Sequence, residues 1–96
     1  MTRLTILSVD DETIIQLGNE ALITGLGHDV LTASEPGAAL TLIAENPAID
    51  VLMTDFEMPN ASGADLARAA LDLRPDLKVI LVTGRLEIDD HVEPGW

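Results

Sequence analysis

The chain has 96 residues, enough for one domain with a single modest core. Its 17 acidic and 5 basic residues give a formal charge of −12, and Arg3, Arg68, Arg74, Lys78 and Arg85 are scattered, which argues against nucleic acid as a partner because phosphate neutralisation needs clustered Lys and Arg. The lack of cysteine excludes a disulfide framework or thiolate metal site, the 47% hydrophobic content argues against a disordered acidic tail, and no apolar run reaches the length of a membrane span, so the chain reads as soluble and cytoplasmic with no separate leader before its first apolar run.

Leu4 to Val9 is apolar and β-branched and predicts a first strand. From Thr13 to Leu26, Ile14, Leu17, Ala21, Leu22 and the pair Gly25 and Leu26 recur every three or four positions, the period of a helix, which Gly25 and Gly27 then stop. His28 to Ala33 predicts a second, short strand. Ser34 is placed to cap the next helix, with Glu35 and Pro36 in its first turn and Leu40, Leu42, Ile43 and Ala44 on its buried side, until Asn46 and Pro47 end it. Ile49 to Thr54 is the third strand, with Asp55 directly after it.

Beyond the loop Glu57 to Asn60, Ser62 stands three residues before Asp65 in the spacing of a capping box, and Leu66, Ala69, Ala70 and Leu73 form the apolar stripe of a third helix that Pro75 closes. Val79 to Val82 is the most β-prone run and predicts a fourth strand. Glu87 to Trp96 is acidic and carries no helical pattern. Strands that read as continuous apolar runs separated by helices imply an α/β fold, a parallel sheet covered on both faces.

In such sheets ligands bind beyond the carboxyl ends of the strands. Asp10 and Asp11, Asp55, and Thr83 all stand at carboxyl ends of predicted strands. Each has a plain reading alone: Asp10 and Asp11 as turn or N-cap residues, Asp55 as a loop carboxylate, Thr83 as a strand threonine. Together they fall on one edge. Converging carboxylates repel unless a cation holds them, and a hard oxygen-ligand ion such as Mg²⁺ is the usual solution. A carboxylate beside such an ion can act as a nucleophile toward phosphorus, and the Thr83 hydroxyl could donate to a phosphoryl oxygen. His28 and His91 read as bystanders, away from that edge.

Val9-Asp10-Asp11-Glu12, then Met53-Thr54-Asp55-Phe56-Glu57-Met58-Pro59 with Gly63 four after the proline, then Val82-Thr83-Gly84, resemble the receiver domains of two-component response regulators over the whole chain. The resemblance implies a doubly wound, flavodoxin-like sheet of order 2-1-3-4-5. It implies that Asp55 accepts phosphate from a histidine kinase or histidine phosphotransfer protein, that Mg²⁺ is held by Asp10, Asp11, Asp55 and the backbone carbonyl of Glu57, and that Thr83 is the switch hydroxyl. The side chains of Glu57 and Arg85 would tune hydrolysis. Thr83-Gly84-Arg85-Leu86 and the acidic stretch after it resemble the subgroup with a threonine-glycine motif and a short fourth helix, often attached to hybrid histidine kinases, although the aromatic usual after the glycine is absent.

The family's lysine, which follows a fifth strand, has no counterpart in residues 1–96, since Lys78 starts the fourth strand. The expectation is a single receiver domain, C-terminally incomplete, without the fifth strand and last helix, and able to pair or swap with a second copy through that edge. The alternatives are a degenerate receiver acting as a phosphorylation-independent interaction module, and an aspartyl-phosphate phosphatase. Against the phosphatase, position 57 is Glu where an Asp-x-Asp pattern needs a second Asp, and there is no cap domain. A phosphate loop of the form G-x-x-x-x-G-K-[ST] is absent, which excludes a nucleotide hydrolase of that kind.

Overall fold

The computed structural model describes residues 3–58 and 61–82, with the side chains of residues 57, 58 and 61 left aside. Thr83, Arg85, His91 and the stretch from Glu87 to Trp96 lie outside the described residues, as do Pro59 and Asn60 in the loop after Asp55. The elements in chain order are β1 (Thr5–Val9), α1 (Thr13–Gly25), β2 (Asp29–Ala33), α2 (Pro36–Glu45), β3 (Val51–Asp55), β4 (Glu57–Met58), β5 (Ala61–Ser62), α3 (Gly63–Leu73) and β6 (Lys78–Val82).

Four strands form one parallel sheet of order β2-β1-β3-β6. Counting only its members, this is the 2-1-3-4 part of the order 2-1-3-4-5 that the resemblance implies. Parallel neighbours cannot be joined by a tight turn, so each connection crosses over through a helix. α2 and α3 cover one face and α1 the other.

The period-2 alternation of side chains sorts the core. Leu7, Val9 and Leu52 point toward α2 and α3 and pack with Ala39, Ile43, Leu66 and Ala70, closed below by Ile49 and Leu77. Leu7 and Leu52 are fully buried, a contribution of about 1.5–3 kcal/mol each. On the opposite face Ile6 and Val51 meet Ile23 of α1, flanked by Leu4, Val30 and Met53.

The helix ends follow from particular residues. Gly27 takes φ +92°, a conformation costly for any residue with a Cβ, and in that turn its N–H donates to Thr24 O at 3.0 Å and that of His28 to Ile23 O at 3.2 Å. Glu35, and not Ser34, is the N-cap of α2, its Oε1 accepting from Ala38 N at 2.7 Å. Ser62 caps α3 by accepting from Ala64 N at 3.1 Å, but Asp65 does not close a capping box; its carboxylate takes Arg68 Nη1 at 3.3 Å. Arg74 holds the far end of α3 to the start of the central strand by donating to Ile49 O at 2.9 Å.

The stripe on α2 sits differently from expectation, and that on α1 is largely open. Ala44 is exposed, and Ala39 takes the buried place on α2. On α1 the residues of the helical repeat face outward: Ile14 is 84% exposed, Leu17 61% and Leu22 62%, while Ile23 alone among the helix residues is fully enclosed.

Candidate functional site

The strand order sets the carboxyl ends of β1 and β3 side by side, with Val9 in register with Ala33 on one side and Thr54 on the other. The residues that follow are carboxylates. The Asp10 backbone N–H donates to Ala33 O at 3.2 Å, extending the β1–β2 ladder by one bond past the strand end. The residue is 5% exposed, and Oδ1 accepts from Glu12 N at 2.8 Å, turning the chain into α1. The plain turn reading of Asp10 therefore holds, and the same bond fixes the direction of its carboxylate. Asp11 is exposed on the same turn, and Asp55, the last residue of β3, is half-buried opposite Val82 of β6.

One carboxylate oxygen from each of Asp10, Asp11 and Asp55 lies within 4.8 Å of the others. Asp55 is more than forty positions from Asp10 and Asp11 in sequence, and the pairing of β1 with β3 brings it beside them. The set is all hard oxygen, which suits a cation of the Mg²⁺ type and not a thiophilic metal. The described arginines pair with carboxylates outside this set. Arg3 pairs with Asp29 at 2.7 Å, Arg68 with Asp65 at 3.3 Å, and Arg74 Nε lies 3.7 Å from Asp76. Lys78 opens β6 in register with Val51, at the amino edge of the sheet, as expected of a lysine that does not serve this site. An open cavity of about 430 Å³ lies alongside, bounded by Asp10, Asp11, Thr13, Gln16, Thr32 and Ser34.

The segment after Asp55 is clamped from two sides. Phe56 N donates to Val82 O at 2.8 Å, and Phe56 O accepts from Gly63 N at 2.9 Å. Between them, β4 and β5 form a two-residue antiparallel ladder, Glu57 opposite Ser62 and Met58 opposite Ala61, for which the sequence shows no pattern. The ladder holds the backbone of Glu57 close behind Asp55. Gly63 is required by closeness and not by an unusual φ: a Cβ there would overlap the carbonyl oxygen of Asp55 and stand 2.9 Å from Phe56 Cα.

Of the residues singled out in the sequence, Asp10, Asp11 and Asp55 are brought together, Glu57 follows by backbone, and Thr83 lies outside the described residues next in sequence to Val82. His28 is at the amino edge, its Nδ1 accepting from Leu4 N at 3.0 Å, in keeping with a bystander. Gln16 and Ser8 were not legible as site neighbours. Ser8 is fully buried, and its hydroxyl donates to Gln16 Oε1 at 2.8 Å. The signal, visible in retrospect, is a glutamine sharing the helical face of Ile23.

A doubly wound parallel sheet that gathers carboxylates at its carboxyl edge defines a class of α/β ligand-binding proteins. Comparison with known proteins narrows it: residues 6–94 match the response regulator receiver domain, and the chain belongs to that family. Among relatives, the TorCAD operon transcriptional regulatory protein TorR of Escherichia coli strain K12 is 35% identical over 88 residues, 91% of this chain and 37% of that protein. A chemotaxis protein CheY homolog of Campylobacter jejuni is 31% identical over 96 residues, 94% of this chain and 74% of that protein. The crystal structure of a response regulator receiver domain protein from Clostridium thermocellum superposes with a TM-score of 0.79 at 38% identity, covering 83% of this chain and 64% of that one. The chain spans 18% of a transcriptional regulator NtrC of Azospirillum brasilense and just over a third of TorR. No helix among the described residues is long and apolar enough to cross a membrane.

Proposed function

We propose that this receiver domain is a phospho-accepting switch of a two-component phosphorelay, located in the cytoplasm, with Asp55 as the phosphoacceptor. The observation that carries the reading is the set of three carboxylate oxygens within 4.8 Å at the carboxyl edge, one of them on the end of the central strand. The donor would be a phosphohistidine on a histidine kinase or phosphotransfer protein. An Asp55 carboxylate oxygen forms the new bond to phosphorus as the phosphorus–nitrogen bond of the donor breaks, and the electron pair returns to the imidazole nitrogen, which takes up a proton. Asp10, Asp11, Asp55 and the backbone carbonyl of Glu57 would hold Mg²⁺, which when bound neutralises charge on the phosphoryl oxygens.

Thr83, immediately after β6 in sequence, would donate its hydroxyl to a phosphoryl oxygen. The added charge then shifts the surface around β6 between two populations and changes which partner it fits. The same domain occurs in relatives named as a transcriptional regulator, a chemotaxis protein and a sensor kinase, so the output belongs to what the switched surface engages. β6 is an edge strand among the described residues, with Ile80 49% exposed, and a second copy of the chain could pair along it.

The test is the intact mass of the protein before and after incubation with Mg²⁺ and a small phosphodonor. A gain of one phosphoryl group that requires Mg²⁺ and is lost in Asp55→Asn is expected. No gain under saturating donor would overturn the reading in favour of a phosphorylation-independent interaction module, and continuous release of phosphate from many small esters would favour a phosphatase.

A further inference from the structure

We propose that Gln16 is a positioning residue for the cation site, its side-chain amide fastening the Asp10 turn to the end of β2; this rests on the Mg²⁺-dependent reading above. Gln16 lies on the sheet-facing side of α1 and its amide is used at both ends. Oε1 accepts from Ser8 Oγ at 2.8 Å, and Nε2 donates to Ala33 O at 2.8 Å and, at 3.4 Å, to Asp10 O. The amide orientation is fixed by chemistry. Two carbonyl oxygens can only accept, so the NH₂ must face them, and the Ser8 hydroxyl can rotate to donate to the oxygen that remains.

Ala33 O thus accepts from Gln16 Nε2 and from Asp10 N, while the carbonyl of Asp10 itself accepts from Gln16. The Asp10 peptide is held on its N–H side by β2 and on its C=O side by α1, and its carboxylate by Glu12 N. Rotation about the Asp10 backbone would swing both Asp10 and Asp11 away from Asp55, and Gln16 opposes it. Partners one step behind a metal's ligands fix their orientation and so set affinity.

The competing role is purely structural, with Gln16 serving only to satisfy the buried Ser8 hydroxyl. A pair of variants separates the two. Gln16→Met keeps the side-chain length but leaves Ser8 without a partner; S8A/Q16M removes both polar groups, which is close to neutral for a matched buried pair. Mg²⁺ binding is measured by titration calorimetry with magnesium chloride alone, and stability by the urea midpoint. A positioning role predicts that Gln16→Met lowers the midpoint and weakens Mg²⁺ binding about tenfold. It further predicts that S8A/Q16M regains most of the midpoint while its Mg²⁺ binding stays weak.

Recovery of wild-type Mg²⁺ affinity in S8A/Q16M together with stability would overturn the proposal, as would unchanged affinity in Gln16→Met. Failure of the wild-type protein to bind Mg²⁺ would overturn both the proposal and the reading beneath it. That result is distinct from wild-type binding with indifferent variants, which removes the role of Gln16 alone.

Discussion

Alanine in place of glycine should act with opposite sign at two positions. Gly18 is inside α1, and a Cβ there would meet no atom within 4 Å. Its replacement removes only the backbone entropy of glycine in a helix interior, a gain of about 0.8–1 kcal/mol. Gly63 opens α3 at an ordinary φ, so backbone strain does not enter, but a Cβ would overlap Asp55 O and lie 2.9 Å from Phe56 Cα and 3.0 Å from Asp55 C. All three are backbone atoms of a segment tied to β6 by Phe56 N to Val82 O and to α3 by Gly63 N to Phe56 O. Relief therefore requires moving the main chain, at a cost of about 1–3 kcal/mol.

The difference between the variants, about 2–4 kcal/mol, is large against a total stability of about 5–14 kcal/mol for a chain of this length. Urea unfolding reads it directly. Because the displaced atoms belong to Asp55 and Phe56, Gly63→Ala should also slow phosphorylation of Asp55, measured by intact mass against time, whereas Gly18→Ala should leave that rate unchanged. Gly63→Ala matching or exceeding wild-type stability would refute the close-approach argument.

At the start of α2, Glu35→Ala should cost about 1 kcal/mol through loss of the bond to Ala38 N, and Ser34→Ala should change stability by less than about 0.5 kcal/mol, both read by urea unfolding. Arg74→Met should lower stability by about 1 kcal/mol: it loses the bond to Ile49 O, offset in part by removing Nη1, which is buried without a hydrogen-bond partner. Leu52→Ala, at a fully buried position of the central strand, should cost about 2–5 kcal/mol in the same assay. Mg²⁺ at about one hundred times its dissociation constant should stabilise the protein by about 2.7 kcal/mol in calorimetric melting, an increment that Asp11→Asn should largely remove.

The sheet was legible because β1, β3 and β6 read as apolar runs, and a carboxylate stands at the end of β3 and directly after β1. The site was legible for the same reason, since Asp10, Asp11 and Asp55 need only correct strand ends and correct order to meet. Helix faces were less legible. The repeat of Ile14, Leu17 and Leu22 looks like a buried stripe, yet the sheet beneath α1 carries the Ser8 hydroxyl, and the helix turns Gln16 and Ile23 toward it. Ser34 and Glu35 can both cap a helix, and sequence alone gives no distance to Ala38 N. The β4–β5 ladder is two residues on each side, too short for any period to show.

The two faces of the sheet are enclosed unequally. The side under α2 and α3 holds most of the fully buried residues, including Leu7, Ile43, Leu52 and Ala70, whereas the described packing under α1 rests on Ile6, Ile23 and Val51. Local opening follows the weaker packing, so amide hydrogens of α1 should exchange with solvent through fluctuations that leave β3 intact. Asp10 and Asp11 lead into α1, while Asp55 ends a strand of the more tightly packed half. A cation held by all three carboxylates would couple the two halves, with slowed exchange throughout α1, a helix that supplies none of them, as its signature.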